Sequence, residues 1–188
     1  ACLLDAFEDH KWLYFILEPD LYSNKVDIIW IYPDYKKVVQ VKSSKNKITF
    51  PKAKKWAKEL QQSINVQEYE LIICGHRSDE VLQTGKIGNV VISRQKDLNT
   101  KDLKKLCTFQ LGVFLENIAK FIPEKMKLIL VESLITKLEE GAITSEKISR
   151  KIFMKKIEEM VDLIFTSSEI KEGINNALVI LDGFLPSY

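Results

Sequence analysis

A chain of 188 residues has room for one compact domain, or for a small domain with an appendage. Hydrophobic residues make up 46% and charged residues 29%, as in an ordinary globular interior with a solvated surface. The net charge is only +2, so a surface for a polyanion has to come from local clustering of lysine. No apolar run approaches 18 residues and no signal peptide is visible, so no membrane span is expected. Cys2, Cys74 and Cys107 are widely spaced and odd in number. They form no disulfide framework and suit a reducing, cytoplasmic setting. His10 and His76 are the only histidines, which argues against a zinc site of the usual His/Cys kind. The sequence begins at Ala1 and runs straight into a patterned segment, as a trimmed chain or a piece of a larger protein would.

Residues 3–17 carry apolar side chains at helical spacing, with Leu4, Phe7 and Phe15 on one stripe, so a helix is expected there. Its end is ambiguous, because Leu13–Glu18 also reads as a short strand before Pro19. Residues 26–32 and 36–42 are rich in Val, Ile and aromatics and flank Pro33-Asp34, which predicts a hairpin. Pro51 opens a helix over about 51–64, with Ala53, Trp56, Ala57, Leu60 and Ile64 on its inner face. Tyr69 to Cys74 is a buried strand ended by Gly75, and Asn89 to Ser93 is a short strand. From Asn99 the pattern turns helical. A long helix carries Leu103 to Ile118, Pro123 breaks it, and a second runs from Met126 to Leu138 with Gly141 as its cap. Ser145 is the expected N-cap of a third helix, and Glu169–Leu181 is a fourth. The shift near residue 95 divides an α/β half, 1–95, from a helical extension or bundle, 96–188.

The chemistry concentrates at the open end of the hairpin. Side chains two apart on a strand share a face, so Gln40 and Lys42 point the same way. A four-residue loop at Tyr32–Tyr35 pairs Ile31 with Lys36, Ile29 with Val38 and Asp27 with Gln40, which gathers Asp27, Gln40 and Lys42. A carboxylate, an amide oxygen and the Val41 carbonyl are hard oxygen donors of the kind Mg²⁺ takes. A metal so held lowers the pKa of a bound water and offsets charge on a phosphodiester. Lys42 is suited to orient the water or stabilise the transition state. From Lys36 to Lys58 the chain holds nine lysines and no acid. Lys45, Lys47, Lys52, Lys54, Lys55 and Lys58 thus form a candidate phosphate-facing stripe beside the hairpin. Trp56 belongs on the apolar side of that helix. Gly85-Lys86-Ile87-Gly88 lacks the G-K-[ST] of a phosphate cradle and reads as a loop.

The order Asp27, hairpin, Gln40-Val41-Lys42, basic helix and buried strand resembles the PD-(D/E)XK nuclease superfamily, in the Gln-x-Lys form of Mrr-like restriction endonucleases. The string Val39-Gln40-Val41-Lys42-Ser43-Ser44 is similar to nuclease effector domains of bacterial antiphage defence proteins. The resemblance spans about residues 3–93. It implies a restriction-endonuclease-like α-β-β-β-α-β core with a mixed central sheet flanked by helices, here followed by a helical region. It also implies hydrolysis of double-stranded DNA with Mg²⁺, for which Mn²⁺ is expected to substitute. By resemblance Asp27 is the direct metal ligand, Gln40 a weakened second ligand and Lys42 the catalytic lysine. Phe7-Glu8 matches the helix pair whose Glu reaches the metal through water. The fold's first strand is short, absent or formed by Leu13–Glu18, and in the last case Glu18 replaces Glu8. A fused or associated regulatory module and a homo-oligomer are the further partners expected.

Overall fold

The computed structural model describes residues 2–9, 11–19, 25–93, 100–143, 145 and 147–163. The chain divides into two compact units, Ala1–Arg150 and Lys151–Tyr188, so the change of pattern near residue 95 falls inside the first. In the second unit residues 151–163 are helical. The helix expected over 169–181 lies outside the described residues.

The first unit is α/β. Its elements are α1 (Cys2–Glu8), β1 (Tyr14–Leu17), β2 (Ile28–Ile31), β3 (Lys36–Ser43), α2 (Phe50–Ser63) and β4 (Glu68–Cys74). There follow α3 (Asp79–Gln83), β5 (Lys86–Ile87), β6 (Val90–Ile92), α4 (Thr100–Asn117), α5 (Glu124–Ile143) and β7 (Lys147–Ser149). The first six follow the expected order α-β-β-β-α-β. The strands form one mixed seven-stranded sheet in the order β5-β6-β4-β3-β2-β1-β7. β1, β2 and β3 pair antiparallel, whereas β3 and β4 are parallel and joined through α2. A parallel pair needs such a crossover, and the 14 residues of α2 supply it.

Two apolar layers hold this sheet. On one face Ile29, Val38, Leu71, Ile73, Val90 and Ile92 bury against Ala53, Ala57 and Leu60 of α2, with Trp56 partly buried at the margin. The small Ala residues let α2 lie close to the strands. The alternate residues face the other way, where Trp30 meets Trp12 at 5.5 Å and Phe15 at 4.8 Å between ring centroids. On the helical side, Phe7 of α1 packs on Phe114 of α4 at 5.8 Å.

Three expectations change. The N-terminal helix stops at Glu8, and Leu13–Glu18 contains β1 instead, because the alternating Tyr14–Leu17 run finds β2 as a partner. The second long helix runs on through Gly141 to Ile143 instead of being capped there. Ser145 is not an N-cap. It sits at φ +49° ahead of β7, which pairs Tyr14 with Ser149 and Ile16 with Lys147. Among the described residues no helix is long and apolar enough to cross a membrane.

Candidate active site at the end of the hairpin

The hairpin register is the expected one, with Ile31 against Lys36, Ile29 against Val38 and Ile28 against Val39. Asp27 departs from it. Its N–H donates to the Val39 carbonyl at 3.0 Å, the residue that Ile28 already faces. Two residues of one strand then stand against one of the other, as in a bulge. Asp27 is therefore not in a simple cross-strand pair with Gln40. Its carboxylate instead accepts the Val41 N–H at 2.5 Å. In a strand the N–H and C=O of one residue face the same neighbour, so the Val41 carbonyl is aimed at the same gap where β2 has ended.

Burial raises the Asp27 pKa, against the lowering effects of the Val41 N–H and the Lys42 charge. The Lys42 charge thus acts on the Asp27 carboxylate at the end of the hairpin. Gln40 projects from the same face as Lys42 and is 1% exposed, and its Oε1 has no hydrogen-bond partner. A buried unpaired amide oxygen costs roughly 1–3 kcal/mol, so the position is not explained by packing alone.

Glu18 joins this end. Its N–H donates to the Asp27 carbonyl at 2.8 Å, and it is held at φ +41°, uncommon for a residue with a side chain. Its pKa is raised by burial and then by the Asp27 charge. Ser145, just ahead of β7, donates its Oγ to the Glu18 carbonyl at 2.5 Å. No sequence signal pointed to that contact, which joins residues far apart in the chain.

Glu8 is not brought to this cluster. Its Oε1 accepts from Gln110 Nε2 at 3.0 Å, and the neighbouring Asp9 accepts the Tyr32 hydroxyl at 2.7 Å. Tyr32 follows β2 whereas Asp27 precedes it, so α1 ends at the opposite end of the hairpin. Of the two acids considered for the accessory place, Glu18, which follows β1, is the one beside Asp27.

The donors at this end suit a hard cation: the carboxylates of Asp27 and Glu18, the orphaned Gln40 oxygen and the Val41 carbonyl. Among the described residues no three His, Cys, Asp or Glu side chains gather as a cage. A cation here would rest on mixed oxygen ligands and water, as Mg²⁺ commonly does.

The lysines divide. Lys45 and Lys47 are exposed in the loop after β3, and Lys54, Lys55 and Lys58 are exposed on α2. Lys52 donates to Ser44 Oγ at 3.2 Å and lies 5.0 Å above the Trp56 ring. Lys37, inside the acid-free window, instead pairs with Glu70. Its odd position on β3 sends it to the face opposite Gln40 and Lys42. An open cleft of about 370 Å³ lies at the carboxyl ends of β3 and β4, lined by Ser43, Ser44, Lys45, Cys74 and Gly75. Ligands of open α/β sheets bind at such strand ends. Gly75 lets the two backbones that border the cleft approach closely: at φ +110°, a Cβ there would stand 2.6 Å from the Ser44 carbonyl oxygen. A larger cleft of about 450 Å³, lined by Lys37, Gln67, Glu70 and Lys86 among others, includes the amino end of β4 and none of the cluster. Comparison with family models, with curated proteins and with solved structures returns no match.

Proposed function

We propose that this chain is a Mg²⁺-dependent endonuclease domain that hydrolyses phosphodiester bonds of double-stranded DNA. In this reading it is a cytoplasmic effector module of a larger antiphage defence or restriction protein, under a fused or associated regulatory module. The observation that carries the reading is Gln40: a buried amide oxygen left unpaired, on the same face as Lys42, whose charge reaches Asp27. Asp27, Gln40, the Val41 carbonyl and Glu18 would hold the cation. Bound there, the cation would supply a water of lowered pKa and offset charge on the phosphate.

The protein groups have separable tasks. Asp27 is fixed by the Val41 N–H, so its carboxylate is set before substrate arrives. Lys42 provides positive charge close to Asp27, where a phosphorane oxygen needs it. Lys45, Lys47 and the exposed lysines of α2 would track the DNA backbone and carry no base readout.

The test is cleavage of plasmid DNA with Mg²⁺ or Mn²⁺ by the wild type, Asp27→Ala and Lys42→Ala. Cutting by the wild type alone is expected, and cutting that survives both substitutions overturns the assignment. A second reading, a nuclease-like module that binds DNA without cutting it, has its own observation. One Asp27 oxygen is already engaged by Val41, and Gln40 carries no charge. Salt-dependent DNA binding indifferent to Mg²⁺ and Mn²⁺, with no cleavage, would favour it.

A further inference from the structure

The outer face of α4 has a stripe at i, i+4 spacing, Lys101, Lys105, Phe109 and Val113, with Glu116 one turn on, and all five are exposed. Phe109 is 64% exposed and Val113 40%, so the middle of the stripe is apolar on the surface. The opposite side of α4 is accounted for: Cys107, Leu111, Phe114 and Leu115 are buried, and Lys104 pairs with Glu132 of α5 at 2.7 Å. The charges of the stripe oppose the helix macrodipole, with lysines toward the amino end and Glu116 in the last turn. A solitary surface helix gains nothing from that order. Asp102, which borders the basic end, is engaged within the chain.

We infer that this face of α4 docks on the same face of a second copy of the chain, antiparallel about a two-fold axis that passes between Phe109 and Val113. The pattern is self-complementary under that rotation. Phe109 of one copy meets Val113 of the other, and Lys105 meets Glu116, so each basic end lies over an acidic end. The two helix dipoles then run antiparallel, and the isologous contact closes on itself without making a filament. Two apolar side chains from each copy fill the centre and the charged pairs form the rim, the usual anatomy of a specific contact. The inference is independent of the cleavage proposal, since none of these residues belongs to the hairpin cluster.

The experiment is sedimentation of the whole chain at roughly 10–100 µM, a range that resolves a micromolar dimer. The wild type is expected to sediment as a dimer. Phe109→Asp is expected to weaken association at least ~10-fold, with an unchanged far-ultraviolet spectrum because the side chain is exposed. Lys105→Glu and Glu116→Lys each place like charges together and are expected to weaken it too. An equimolar mixture of those two variants restores both pairs and is expected to re-form the dimer. A monomer at every concentration overturns the inference and leaves the stripe to another occupant. A dimer unmoved by Phe109→Asp, or a mixture that fails to re-associate, overturns it as well.

Discussion

Glu18 and Asp27 are joined through the backbone, the N–H of the first donating to the carbonyl of the second at 2.8 Å. The two residues therefore stand at the same end of the sheet, where burial first and then the Asp27 charge raise the Glu18 pKa. Two acids held this way repel until a cation or a proton arrives. Glu18→Gln is expected to weaken Mg²⁺ affinity, read by calorimetry, and to lower cleavage, whereas Glu8→Gln leaves both unchanged.

The orphaned Gln40 oxygen predicts a conflict between stability and function. Gln40→Leu removes a buried amide oxygen that has no hydrogen-bond partner, and is expected to stabilise the fold by roughly 1–3 kcal/mol. In a chain of this size that raises the thermal midpoint by about 2–4 °C per kcal/mol, measurable by calorimetry. The same variant is expected to lose cleavage. Gln40→Glu is expected to bind Mg²⁺ more tightly than the wild type.

Lys42→Ala is expected to lower the cleavage rate by about 100- to 1,000-fold, the usual effect of removing one preorganised charge from a transition state. Metal binding should persist, because Lys42 donates no ligand. Loss of metal binding along with activity would mean that Lys42 organises Asp27 instead of acting on the phosphate.

The lysine stripe makes a prediction in salt. Glu substitutions at Lys54, Lys55 and Lys58 are expected to weaken binding to all DNA sequences alike. Each lost phosphate contact should flatten the plot of log affinity against log salt by about 0.9. Lys37→Ala should leave that slope alone, since its ammonium is committed to Glu70.

Asp5 supplies a pH effect remote from the hairpin cluster. Burial raises its pKa from 3.8 to about 6, against the nearby Lys37 charge and with help from Glu70. A carboxyl whose folded pKa lies above its unfolded value holds its proton more tightly when folded. Stability is then highest below the unfolded value and is lost as pH rises through the window from 3.8 to about 6. Asp5→Asn is expected to remove that loss, on the order of 3 kcal/mol, and to flatten urea-derived stability across the window.

Local features of this fold were legible in the residues, and long-range ones were not. The hairpin register followed from a Pro-Asp turn between two apolar runs, and α2 followed from Pro51 and the Ala53–Ala57–Leu60 spacing. The bulge at Asp27 left no trace in residue type, because it is a choice of backbone partner. β7 is three residues long, too short to show a period, and Ser145 before it resembles a helix cap. Glu8 and Glu18 each precede a plausible break, and what separates them is where α1 stops and β1 begins. The unpaired state of Gln40 became visible only with its surroundings in place, although its face was readable from its distance to Lys42.

β7 closes the sheet beside β1, bringing Ser149 to Tyr14 and Ser145 to the carbonyl of Glu18. A ribosome that has released β1 through β6 has already delivered Asp27, Gln40 and Lys42, but not Ser145, whose hydroxyl donates to the Glu18 carbonyl. Contacts between such distant parts of a chain are the slow ones in folding. The order of synthesis therefore delivers this contact last, and a product arrested before residue 145 would carry Glu18, Asp27, Gln40 and Lys42 without the hydroxyl that holds the Glu18 carbonyl.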